Sequence, residues 1–130
     1  MSLASKSNAY VADNLFYGDF PVTSDEVTVL AGQGVVKRGS VLGIVTATGK
    51  AKLVAEAADP ADGSEKAKYV LLHDVDTGSG ETADDAVAVA AKTGHFNGNA
   101  LIVDESTEVA DHIAELREVG ILVNDSSERV

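Results

Sequence analysis

The chain has 130 residues, enough for one domain with a modest core and no second one. Hydrophobic residues make up 45% of it but aromatics only 5%, and cysteine is absent, which excludes disulfides, thiolate metal sites and thiol catalysis. The formal net charge of −11 argues against nucleic acid as a partner, because phosphate contacts need clustered lysine and arginine.

Residues 1–20 read as an arm. Ser, Asn, Ala and Asp dominate as far as Asn14, and Leu3, Tyr10 and Val11 follow no sustained period. Leu15-Phe16-Tyr17-Gly18-Asp19-Phe20-Pro21 then brings together three of the six aromatic residues. An apolar cluster beside a polar tail makes no core by itself. It packs on the body, on a neighbouring subunit or on a partner, as an added strand does at a sheet edge. A frayed terminus with a few residues tucked against the core has the same composition.

From Pro21 to Gly120 the sequence reads mostly as short strands between turn signals. Val27 to Leu30 is β-branched and apolar, and Gly32-Gln33-Gly34 breaks it. Val35 and Val36 precede the turn Lys37-Arg38-Gly39-Ser40. A longer strand is expected from Val41 to Thr48, reversed by Thr48-Gly49-Lys50 into Ala51 to Val54 as a hairpin. Residues 55–67 read as loop, with Asp59-Pro60-Ala61-Asp62-Gly63 carrying turn chemistry. Lys68 to His73 resumes strand, and 75–85 is an acidic loop.

Ala86 to Ala91 is ambiguous. Its alanines favour helix, with Thr82 and Gly94 placed to cap one, whereas its alternating valines favour strand. A helix is expected from Thr107 to Val119: Ser106 or Thr107 caps it, Val109, Ile113 and Leu116 share one face, and Gly120 stops it. Ile121-Leu122-Val123 is a last apolar segment, and 124–130 is a polar tail.

No catalytic arrangement emerges. His73-Asp74-Val75-Asp76 has metal-ligand residue types, but as a strand it sets the aspartates on one face and His73 on the other, a weak divalent site. No metal or cofactor is expected. His95 and His112 stand apart in the sequence and read as surface or interface residues. No serine sits in a nucleophile elbow, and no Lys-Ser/Thr follows Gly32-Gln33-Gly34 as a phosphate loop requires. The expectation is a protein that is not an enzyme.

Residues 1–52 carry five basic and four acidic side chains, whereas residues 53–130 carry five basic and 17 acidic ones. Either the near-neutral part is a docking side and the acidic part is solvated, or the acid-rich loops simply keep the protein soluble. No apolar run approaches the roughly 20 residues of a membrane span. Met1 to Asn8 lacks the apolar region of a signal peptide, so neither membrane contact nor export is expected. With alanine and valine supplying much of the apolar content, a core lacking large side chains is expected to draw stability from subunit partners.

The order and spacing of several fragments resemble one family. They are Leu42-Gly43 with Thr46-Ala47-Thr48-Gly49-Lys50, then Val70-Leu71 and Asp74-Val75-Asp76. Thr93-Gly94 with Phe96-Asn97, Ala100-Leu101, and Leu116-Arg117 with Gly120-Ile121 complete the set. Together they are similar to the head decoration proteins of lambdoid tailed phages over roughly Leu15 to Val123.

The resemblance implies a mostly β fold with a small α part: a compact, β-tulip-like domain with one C-terminal helix, assembled as a homotrimer. It also favours strand at Ala86 to Ala91. It implies a structural virion protein on the outer surface of the capsid, made and assembled in the host cytoplasm. Such a trimer binds the major capsid protein of the expanded head at threefold sites and stabilises the shell against internal DNA pressure. Carried onto this chain, residues 1–20 are the capsid-binding arm, 21–123 the trimerising body and 124–130 the tail. Tyr10, Val11, Leu15, Phe16, Tyr17, Phe20 and Pro21 are the candidate capsid contacts. The polar tail and the arm's own composition depart from the family's pattern.

A second resemblance is to biotinyl and lipoyl carrier domains, in Gly34-Val35-Val36-Lys37-Arg38-Gly39-Ser40-Val41-Leu42. A small β-hairpin carrier or binding domain is therefore the alternative. Lys50 would be its modified lysine, but Thr48-Gly49-Lys50-Ala51 matches neither carrier motif.

Overall fold

A computed structural model describes residues 15–17, 21–57 and 61–124. Eight strands occur among them: β1 Thr23–Val29, β2 Val35–Val36, β3 Val41–Ile44, β4 Ala51–Leu53, β5 Tyr69–Leu71, β6 Val75–Asp76, β7 Ala86–Asn97 and β8 Ile121–Asn124. The large sheet has the order β1-β4-β3-β5-β7-β8, and β1 also pairs with β7. That extra pairing closes five strands into a small barrel. β1 and β7 run antiparallel from Thr23↔Thr93 to Val29↔Ala86, and β8 adds to the far half of β7 in parallel. β2 and β6 form a separate two-stranded ribbon.

Alternation along the strands divides the core in two. Val27, Val29, Leu42, Ala51, Leu71, Ala88 and Ala90 meet in one cluster, joined by Val36 of the ribbon. Their chain neighbours Val41, Val70 and Ala91 turn the other way, to Leu15, Phe96, Leu116 and Ile121 in the second. β3, β5 and the middle of β7 are thus buried on both faces, which is why their sequences lack a polar face.

The ambiguous alanine–valine run is strand. The side chains turned inward are the alanines: Ala88 and Ala90 are buried, whereas Val87 is 63% exposed. A five-stranded barrel has little room inside, so small side chains line it where β1 and β7 close it.

Three expectations need correction. β3 ends at Ile44 rather than Thr48: the Thr48 and Gly49 N–H groups fold back on the Val45 carbonyl, and Thr46 N–H bonds Asp62 O instead. The expected loop at 75–85 begins with β6 and contains a 3-10 turn, Gly80–Thr82.

The expected helix opens as a 3-10 turn, Val109–His112, and only Ile113–Val119 is α-helical. Its cap is Glu108, whose N–H bonds Asp111 Oδ2, because both expected caps are otherwise engaged. Ser106 Oγ accepts Glu56 N–H, and the Thr107 hydroxyl meets His112 Nε2. Gly120 does stop the helix, at φ 100 in the left-handed region that glycine enters without steric cost.

Candidate docking site at the arm root

Residues 15–17 lie antiparallel along the far half of β7, on the edge opposite β8. Tyr17 N–H donates to His95 O at 2.8 Å, and Asn97 N–H donates to Leu15 O at 2.9 Å. The buried Asn97 amide adds a bond to Phe16 O at 3.2 Å. Leu15 is 2% exposed and belongs to the core cluster of Phe96, Leu116 and Ile121. It is an anchor into its own chain, so its side chain is not free for the capsid contact expected from sequence.

The next two residues face outward. Phe16 and Tyr17 are 39% and 38% exposed. Phe16 rests on Phe96 with ring centroids 5.2 Å apart, and the Arg38 guanidinium covers its ring at 5.5 Å. Arg38 is held by Nη1–H to Leu72 O at 2.6 Å, while its backbone N–H bonds Asp74 Oδ1 at 2.8 Å. Tyr17 packs on His95 at 4.7 Å. Two aromatic rings are thereby held at the surface, Phe16 by the buried Phe96 and the half-buried Arg38, Tyr17 by the half-buried His95.

Pro21 is exposed. Tyr10, Val11 and Phe20 lie outside the described residues. The structure therefore brings Leu15, Phe16 and Tyr17 together and gives their partners Arg38, His95 and Phe96, which the sequence did not mark. The basic pair before a strand was visible, but the contact spans residues 16, 38 and 96.

The histidines are not isolated. His95 packs against Tyr17 with the two rings tilted at 48°. His112, read from sequence as surface or interface, is only 6% exposed. Its Nδ1 lies 2.8 Å from Glu115 Oε1, which also accepts Ala67 N–H at 2.9 Å. His73 Nε2 accepts Val89 N–H at 3.0 Å and Nδ1–H donates to Asp74 O at 3.1 Å, which specifies the neutral Nδ1–H tautomer and engages both nitrogens. Among the described residues, no three His, Cys, Asp or Glu side chains group as metal ligands. None of the described helices is long and apolar enough to cross a membrane.

Lys50, the carrier-domain candidate, is pinned. Its ammonium lies 2.6 Å from Asp85 Oδ2, and Asp85 Oδ1 accepts Ala31 N–H at 2.9 Å. The Lys50 hydrogen bond, then that of Ala31, holds the Asp85 carboxyl below the ordinary aspartate value. A carrier lysine must swing free on a hairpin tip, and this one is tied to another loop.

No curated protein matches the chain. A family model described as bacteriophage lambda head decoration protein D matches residues 4–121. With the β-rich barrel and its single short C-terminal helix, that match carries the assignment: the chain belongs to the family of the bacteriophage lambda head decoration protein D, structural proteins of the phage capsid.

Proposed function

We propose that this protein is a trimeric cement that binds the outside of the expanded phage head at threefold sites and strengthens the shell against internal DNA pressure. The arm, residues 1–20, is its capsid-engaging element, and the major capsid protein is its partner. The carrying observation is the arm root: Leu15 locks the chain into the body while Phe16 and Tyr17 stand half exposed beside it. An anchored root lets residues upstream reach a partner while transmitting load into the barrel. Pairing of an extended arm with a coat strand gains main-chain hydrogen bonds with little sequence demand.

In this arrangement Leu15 acts from within the core, and Tyr10, Val11, Phe16, Tyr17, Phe20 and Pro21 supply the contacts. The 17 acids of residues 53–130 keep the outer face hydrated and away from nucleic acid. The small-residue core draws added stability from the two other subunits.

Co-sedimentation with heads of its own phage, before and after expansion, tests this reading. Saturable binding to expanded heads alone, lost on deleting residues 1–14 while the trimer persists, is the expected result. Equal binding to both head forms, or undiminished affinity without the arm, overturns it.

A further inference from the structure

An apolar pocket of about 200 Å³ opens between β2, β4 and the segment after β7. Val35, 54% exposed, and Ile102, 37% exposed, are two of its lining residues, with Leu53 and the buried Val36. They are two of the eight large apolar side chains left exposed among the described residues.

The walls are fixed. Gln33 Nε2 donates to Leu30 O at 2.8 Å and Gln33 Oε1 accepts Leu53 N–H at 2.9 Å. Ile102 is clamped on both sides: its N–H bonds Gly39 O at 3.0 Å, and its carbonyl accepts Val41 N–H at 2.8 Å. A pocket held by main-chain bonds keeps its shape when empty, which lowers the ordering cost of filling it.

Charge narrows the occupant. Lys37 lines the same pocket, and no ion pair is formed by its ammonium among the described residues, although acids outnumber bases 21 to 10. One acid, Asp76, stands across from Val35 in the β2–β6 ribbon, and its Oδ1 accepts Gly78 N–H. The pocket also shares a turn with the arm root. Residues 37–40 place Lys37 at the pocket and Arg38 over Phe16, so a partner gripped by the arm passes beside it.

We infer that this pocket is a second anchor point on the capsid: it takes one apolar side chain from an acidic surface segment of the shell protein, whose carboxylate meets Lys37. The inference rests on the capsid-binding reading above. A side chain seated in a pocket supplies affinity, and a charge at the rim supplies steering and specificity.

The test uses full-length protein and expanded heads stripped of it. Val35→Thr, which is isosteric, with Ile102→Thr, which shortens that wall by one carbon, removes the pocket's apolar rim; Lys37→Glu reverses the charge. The double variant is expected to bind heads at least tenfold more weakly, and Lys37→Glu to bind more slowly and lose the salt dependence of association. Melting temperature and oligomeric mass should match the unaltered protein.

Unchanged head affinity in both variants overturns the pocket while leaving the arm reading intact, provided deletion of residues 1–14 still abolishes binding. Loss of oligomeric mass with the double variant also overturns it, because the occupant is then a second copy of this chain. Failure of the unaltered protein to bind heads removes both.

Discussion

Phe16 and Phe96 pack as a tilted pair with ring centroids 5.2 Å apart, and the two rings differ sharply in environment. Phe96 is fully buried, whereas Phe16 is 39% exposed under the Arg38 guanidinium. One ring belongs to the core and the other to the surface that the core supports.

That difference predicts unequal truncation costs. Phe96→Ala removes a buried ring from the cluster around Leu116 and Ile121 and should destabilise the body by about 3–5 kcal/mol. Phe16→Ala loses mainly the ring pair, about 1 kcal/mol. Urea unfolding midpoints measure both; equal costs would refute the division.

Gly43 has no room for a side chain. A Cβ there would overlap the carbonyl oxygens of Ser64 and Lys66, where the 61–67 loop crosses β3. Both obstacles are backbone, so Gly43→Ala must displace the loop and is expected to cost about 1–3 kcal/mol. Thermal unfolding checks it, with Ala47→Gly in the neighbouring turn as the comparison.

Glu115 ties the helix to that same loop, since its Oε1 accepts the N–H of Ala67, a residue 2% exposed, as well as meeting His112. Glu115→Ala strands a buried donor, a loss of about 1–3 kcal/mol. Amide exchange at Ala67 should accelerate well beyond that of β1 and β7. Retained protection would mean the loop is held by other contacts.

Lys50 and Asp85 give the acid limb of stability a definite sign. The Asp85 carboxyl is held below the ordinary aspartate value, first by Lys50 and then by Ala31 N–H. A depressed folded value contributes stability above the unfolded value, about 3.9, and loses it as pH falls through the folded one. Asp62, hydrogen-bonded by Ser64, and Asp104, by Ser106, act in the same direction. Asp85→Asn should therefore lower the melting temperature at neutral pH, and the gap should close as pH falls. A constant gap would separate the stabilisation from the ionised carboxylate.

Much of the strand pattern was legible. The second half of β1 and the β3–β4 hairpin followed from β-branched runs and glycine turns, although β1 begins four residues earlier, at Thr23, and Gly120 marked the helix end. β6 was missed because a two-residue strand exists only through its partner, β2. The helix start was missed because Ser106 and Thr107, good caps in isolation, bond instead to Glu56 and His112. At the candidate docking site, the density of aromatics marked Phe16 and Tyr17, yet nothing local distinguished Leu15 as the residue turned inward.

The amino-acid sequence by itself determined the local grammar: where strands and turns fall, where the helix stops, and which terminal stretch gathers aromatics. Those follow from backbone propensity and short-range periodicity, which act over a few residues. Only the tertiary structure decided that β1 closes on β7, that β8 joins in parallel, that alanines line the barrel while Val87 faces water, and that His112 is buried. Each of these depends on groups distant along the chain competing for limited interior space, and strand preference is set by such packing as much as by the residue itself.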